Sequence, residues 1–314
     1  MHLPCRKGLP PQDAQAGWIK IEGSMNFFPG FQRRTIQTSG TLINLVTGGN
    51  GPPLLLLHGY PQTHIEWRKL APVLSASYTL VMPDLRGYGD SGKPPEGENH
   101  INYSKRAMAL DQVEVMERLG FRQFAVVSHD RGSRVAHRLA LDHPERVSKL
   151  VIMDICPTLH MYKTADREMA TAYYHWFFLI QPAPFPETLI GRSVDEVLKL
   201  LMGPVMPKGI EPEAYSEYRR CFSDPATVHA ACEDYRAAAS IDLQHDEADR
   251  DRKILCPLLV LWGANGLVGK KYDVLSVWRD WATQVSGKAL PGGHWLPEEL
   301  PDHTLGEVKG FLAT

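Results

Sequence analysis

Phe124-Ala125-Val126-Val127-Ser128-His129-Asp130-Arg131-Gly132-Ser133 is the stretch that decides how this chain folds. Its apolar, β-branched start predicts a buried strand, and Arg134 to Leu141 open an amphipathic helix. His129, Asp130 and Arg131 must therefore turn sharply between the two. Such a turn needs small residues two places either side of its apex, and Ser128 and Gly132 supply them. The side chain at the apex stands clear at the carboxyl end of the sheet.

That side chain is a carboxylate, which narrows the chemistry. A serine that displaced a leaving group from saturated carbon would end as an ether that water cannot readily cleave. An aspartate ends as an ester, whose carbonyl a positioned water can attack to restore the enzyme. An aspartate here points to attack at sp³ carbon, opening a carbon–halogen bond or an epoxide. The plain alternative is a buried Asp that caps the next helix.

Outward from this point the chain alternates strands and helices. Residues 33–38 and 41–47 flank Ser39-Gly40 as a hairpin would. Short all-apolar runs at 54–57, 79–82, 124–128, 149–153 and 258–262 predict strands covered on both faces. The clearest helix spans 105–119, with Ser104 as its N-cap and Gly120 just past its end. This alternation predicts an α/β fold with a mostly parallel sheet and helices on both faces. Gly48-Gly49-Asn50-Gly51 precedes a strand and reads as a turn, not a dinucleotide fingerprint.

The rhythm breaks after Asp154. From Pro157 to Arg250 the chain is aromatic, helical and proline-punctuated, with Tyr173-Tyr174-His175-Trp176-Phe177-Phe178 followed by Gln181-Pro182-Ala183-Pro184-Phe185-Pro186. The expected organisation is a core in two parts, 25–156 and 251–314, with a helical cap at 157–250 inserted to roof the turn. Residues 1–24 carry Pro, Gly and charge without an apolar signal core, and we expect a disordered extension ahead of Met25.

Composition limits the partners. In 314 residues the formal net charge is −2 and charge of both signs is scattered, so neither a nucleic-acid track nor a polybasic membrane patch is expected. No apolar run approaches the roughly 20 residues of a membrane span. Five cysteines, Cys5, Cys156, Cys221, Cys232 and Cys256, lack C-x-x-C spacing, which points to reduced thiols and a cytoplasmic protein.

An ester at Asp130 needs a base to activate water and a group to hold that base. His294, in the Gly-rich segment Leu290-Pro291-Gly292-Gly293-His294-Trp295 after a short candidate strand, supplies the base and keeps the chain order nucleophile, acid, histidine. The acid often follows the next-to-last strand in a W-G-x-x-D pattern. Here that string is Trp262-Gly263-Ala264-Asn265-Gly266, with glycine in the acid's place. Asp154, ending the strand Leu150-Val151-Ile152-Met153, is the remaining candidate, and Asp273 a weaker substitute. His58-Gly59-Tyr60-Pro61 follows the strand at 54–57, so the backbone N–H groups of Tyr60 and Arg131 are the expected oxyanion donors.

His129-Asp130-Arg131-Gly132-Ser133-Arg134, followed by Ala140-Leu141-Asp142-His143-Pro144, resembles the fluoroacetate (haloacetate) dehalogenases of the α/β-hydrolase superfamily. The resemblance runs from about Phe28 to the C-terminus and includes His175-Trp176, Gln181-Pro182-Ala183-Pro184 and Cys232-Glu233-Asp234-Tyr235-Arg236-Ala237. Haloalkane dehalogenases and many epoxide hydrolases usually carry Trp after the nucleophile, and Arg131 departs from both. The resemblance implies an α/β-hydrolase fold and agrees with Asp130, Asp154 and His294 as the catalytic residues. It also implies that Arg131 and Arg134 bind the substrate carboxylate, and that His175, Trp176 and Tyr235 bind the departing halide. A guanidinium fork suits a carboxylate, and fluoride leaving a dry site needs several donors.

The expected reaction is hydrolysis of a short 2-haloacid, fluoroacetate or chloroacetate, to glycolate and halide, with no metal or organic cofactor. A small-molecule haloacid is the expected partner, and the resemblance alone suggests a homodimer. An epoxide hydrolase is the nearest rival, since Tyr173, Tyr174 and Tyr235 offer hydroxyls to an opening ring. A silent α/β-hydrolase scaffold that merely binds small acids is the non-enzymatic rival.

Overall fold

The computed structural model describes residues 27–203 and 205–314. The expectations for residues 1–24, and Cys5 with them, lie outside the described residues. Eight strands form one sheet: β1 (Gln32–Gln37), β2 (Leu42–Gly49), β3 (Pro53–Leu57), β4 (Thr79–Pro83), β5 (Phe124–His129), β6 (Val147–Met153), β7 (Leu258–Gly263) and β8 (Val285–Leu290). Their order is β1-β2-β4-β3-β5-β6-β7-β8. β2 pairs antiparallel with β1 and β4, and every other neighbouring pair is parallel.

The central strands read as they do because nothing wets them. Leu54, Leu55, Leu56 and Leu57 are fully buried, as are Val126, Val127, Leu150, Val151 and Ile152. Side chains alternate across a strand, so burial at consecutive positions means that both faces of the sheet are covered. Helix Lys105–Arg118 begins where expected, with the Ser104 hydroxyl accepting the Ala107 N–H at 3.1 Å. Between β6 and β7 the assigned elements are all helices, from Thr158–Lys163 to Ile241–Ala248.

Two local expectations need correction. The helix after β5 does not wait for Arg134: it runs from Asp130 to Asp142. Asp130 makes the whole turn by itself in a left-handed conformation, φ 44°, so the chain enters the helix at once. Gly48 and Gly49 end β2 opposite Leu80 and Thr79, so the turn read there is confined to Asn50 and Gly51.

The turn is tight enough to test. A Cβ on Gly132 would stand 2.3 Å from the Leu57 carbonyl oxygen and 2.5 Å from that of His58. Neither atom belongs to a flexible side chain. Gly132→Ala must push the helix off β3, and it is expected to destabilise the protein by about 2 kcal/mol. Urea unfolding checks this: the midpoint should fall with the slope unchanged.

Candidate active site

Strand register brings the acids together. β5 and β6 pair His129 with Met153, so the next residue of each strand, Asp130 and Asp154, emerges at the same carboxyl edge. Both leave the sheet through positive φ, 44° and 52°. β7 pairs with β8 through Gly263 and Leu290, and the segment that follows returns His294 over the same edge.

The three side chains are joined through the imidazole. His294 Nδ1 lies 2.5 Å from Asp154 Oδ2, while Asp154 Oδ1 accepts the Gly263 N–H at 2.8 Å. A carboxylate only accepts, so Nδ1 carries a proton, and it is the base form of His294 that has its lone pair on Nε2. That nitrogen lies 3.9 Å from Asp130 Oδ1. Asp273 is not part of this group: exposed, it caps helix Val274–Arg279 through the Ser276 N–H. An ideal Cβ on Gly266 would come within 3.7 Å of Asp154 Oδ2, so the W-G-x-x-D position and Asp154 converge on one place.

Asp130 is held as an anion. Its Oδ2 accepts the Tyr60 N–H at 3.0 Å. Burial pushes the carboxyl up, but the positive charges of His294, His129 and Arg131 and the Tyr60 N–H outweigh it, leaving Asp130 below the ordinary carboxylate range. The Arg131 N–H is in the first turn of the helix, where no intrahelical acceptor exists. The chain next to Tyr60 must pass close, since a Cβ on Gly59 would lie 2.8 Å from Asp130 Cβ.

The two arginines are not equivalent. Arg131 gives Nε and Nη2 to the two carboxylate oxygens of Asp234, at 2.8 and 2.7 Å, with its guanidinium carbon 4.1 Å from the centre of the Tyr235 ring. Asp234 is further held by Lys105 and by the Tyr88 hydroxyl. Only Nη1 of Arg131, itself buried, has no partner. Arg134 makes no ion pair with any described carboxylate. Its Nη1 donates to the Cys156 carbonyl at 3.1 Å and the Thr158 hydroxyl at 2.9 Å, and its Nε is buried without a partner. Burial, and then the charge of Arg131, lower the pKa of Arg134.

Aromatic residues of the helices between β6 and β7 lie against this edge. His175 stacks on the Tyr60 ring at 6.3 Å, and Tyr235 meets Tyr60 edge-on at 5.3 Å. Trp176 lies against Tyr173 and under the Arg134 guanidinium, 4.6 Å from ring centre to carbon. None of the His175 ring nitrogens, Trp176 Nε1 or the Tyr235 hydroxyl hydrogen-bonds to a described residue. Burial lowers the His175 pKa to about 4, so at neutral pH its ring carries a single N–H. Burial and the Asp130 charge hold Tyr235 well above its usual value, so its hydroxyl keeps its proton. The Tyr173 hydroxyl is also buried without a partner, and its ring faces His294 at 6.3 Å.

Sequence reading missed two partnerships. Asp234 as counter-ion of Arg131 lies 103 residues away and meets it only in the folded chain. Glu66, fully buried, lies against His129 and Gly59, and no motif pairs these residues.

The model of the α/β hydrolase fold matches residues 52–301. A fluoroacetate dehalogenase from Burkholderia sp is 45% identical over 289 residues, covering 91% of this chain and 95% of that protein. A soluble epoxide hydrolase from Corynebacterium sp. (strain C12) is 32% identical over 283 residues, 88% of this chain and 95% of the relative. A crystal structure of an α/β-hydrolase candidate from Nostoc sp PCC 7120 superposes with a TM-score of 0.87 at 58% identity, covering 90% of this chain and 98% of that one. Sheet order, the strand-to-helix turn and these likenesses agree: the chain belongs to the α/β-hydrolase family.

Proposed function

We propose that the protein hydrolyses the carbon–halogen bond of short 2-haloacids through an ester on Asp130. The observation that carries this reading is Arg134, a buried guanidinium without a carboxylate partner, in the field of the nucleophile. An unpaired buried charge is costly, and an anionic ligand relieves that cost. The free Nη1 of Arg131 and Nε of Arg134 are two donors still open to a substrate carboxylate. Pairing that charge also reduces its repulsion of Asp130. The name of the 45% identical relative agrees with a haloacetate as the substrate.

With Oδ2 engaged by the Tyr60 N–H, Oδ1 is the oxygen that attacks the α-carbon, and halide leaves with the bonding pair. His175, Trp176 and Tyr235 offer one N–H or O–H each to the departing ion. Water then takes the space between His294 Nε2 and the ester carbonyl. His294 removes its proton, and Asp154 holds the imidazolium that forms. Charge on Oδ2 is met by the Tyr60 and Arg131 N–H groups, each such donor contributing about 3 kcal/mol in the transition state. Collapse restores Asp130, and glycolate leaves with the proton returned from His294.

Halide-electrode assays test the reading. Chloroacetate or fluoroacetate should give halide and glycolate in equal amounts. Arg134→Leu should raise KM for the haloacid by about 100-fold with a smaller loss in kcat, because it removes binding common to ground and transition states. One observation favours a second reading: the Tyr173 and Tyr235 hydroxyls have no described partner, and two such groups suit protonation of an opening epoxide. Turnover of neutral epoxides with none of haloacetates would decide for that reading, and no turnover of either would leave an acid-binding scaffold.

A further inference from the structure

We propose that Glu66 and His129 form a buried positioning pair that sets the oxyanion loop and the His294 loop at a fixed distance across the nucleophile. Neither residue touches substrate in the reading above, on which this inference rests. Both are fully buried. Glu66 Oε2 accepts the Gly59 N–H at 2.9 Å, one residue before the oxyanion donor Tyr60. Glu66 Oε1 lies 2.6 Å from His129 Nδ1. On the far side of the ring, His129 Nε2 is 2.8 Å from the carbonyl oxygen of His294.

One hydrogen bond and one ion-pair contact set the charge state. A carbonyl can only accept, so Nε2 carries a proton, while Glu66 Oε1, at 2.6 Å but outside hydrogen-bond geometry, favours a second proton on Nδ1 as an ion pair. His129 is therefore an imidazolium held between a carboxylate and a carbonyl. Of the other ionisable groups nearby, Asp130 is on the same turn, the His294 ring lies 4.8 Å from that of His129, and His58 and Glu298 stand on the side of Glu66. Burial opposes the charge, but the Glu66 carboxylate beside it, then Asp130 and the His294 carbonyl, raise the His129 pKa to about 9.

The consequence is a pH limit of definite sign. A raised histidine pKa means that the linkage is complete below the ordinary value near 6.5 and is lost as pH rises through about 9. Above it, one proton serves two acceptors, and one of the two loops loses its tie. Glu66→Gln escapes this. Its amide oxygen still accepts from Gly59, its NH₂ donates to Nδ1, and neutral His129 keeps Nε2–H on the His294 carbonyl. Glu66→Ala keeps none of the carboxylate's bonds.

The test joins an NMR measurement on the resting enzyme to single-turnover kinetics with chloroacetate. In ¹⁵N-histidine spectra, assigned with His129→Gln, both ring nitrogens of His129 should be protonated at pH 7 and titrate near pH 9, whereas in Glu66→Gln the ring should be neutral. In Glu66→Ala, ester hydrolysis should slow at least about 30-fold, more than halide release does. Glu66→Gln should recover to within about ten-fold of the parent and lack the decline near pH 9. A neutral His129 at pH 7 in the parent enzyme overturns the proposal, as do unchanged hydrolysis in Glu66→Ala or equal losses in the two variants. The spectra decide even if the parent enzyme releases no halide, a result that would count against the dehalogenase reading alone.

Discussion

Asp130→Asn is expected to lower halide release from chloroacetate by at least about four orders of magnitude while leaving the fold intact. The nucleophile is lost because a neutral amide oxygen does not displace halide from carbon at a useful rate. The fold survives because asparagine is among the few residues that accept positive φ, and position 130 sits at 44°. The Tyr60 N–H still finds an amide oxygen where it found Oδ2. Steady-state halide assays and a thermal melt check both halves. A variant that unfolds would say nothing of catalysis, so a melting temperature within a few degrees of the parent is part of the expected result. Activity retained within ten-fold would remove Asp130 from its assigned role.

His294→Asn separates the two chemical steps. Attack by Asp130 needs no base, so one equivalent of halide should appear per site. The ester then persists, because nothing takes a proton from the attacking water. Steady-state turnover should fall by about three orders of magnitude or more, with a burst preserved. The trapped species should be visible by intact-protein mass spectrometry as the parent mass plus a carboxymethyl group, located by digestion to the peptide carrying Asp130. Asp154 remains held by the Gly263 N–H in this variant, so the carboxyl edge of the sheet keeps one of its ties. Repeated turnover without a detectable adduct would show that another group, or none, deacylates the enzyme.

These expectations were readable in the sequence to the extent that their causes are local or tied to strand order. Ser128, Asp130 and Gly132 announce a tight strand-to-helix turn because steric demand there admits only small neighbours. Asp154 and His294 are legible from their places after apolar strands, since a parallel sheet delivers successive strand ends to one edge. Where the helix began was not legible, because a single residue at φ 44° did the work allotted to several. The division of labour between the arginines was hidden as well. Arg131 and Arg134 look alike in the string, but folding brings Asp234 to one of them and a ring, a hydroxyl and a carbonyl to the other. The Glu66–His129 pair was invisible for the same reason: its partners share neither an element nor a motif.

Buried unpaired donors and a sheet edge that aligns two acids with a histidine together lead to one proposal, that Asp130 is alkylated and then regenerated by water. A single turnover with chloroacetate in ¹⁸O-labelled water, enzyme in excess, measures it directly. The account predicts heavy oxygen in the Asp130 carboxylate and unlabelled oxygen in the first glycolate formed. Label in that glycolate with none in Asp130 would mean that water attacks the substrate carbon itself, and would contradict the account.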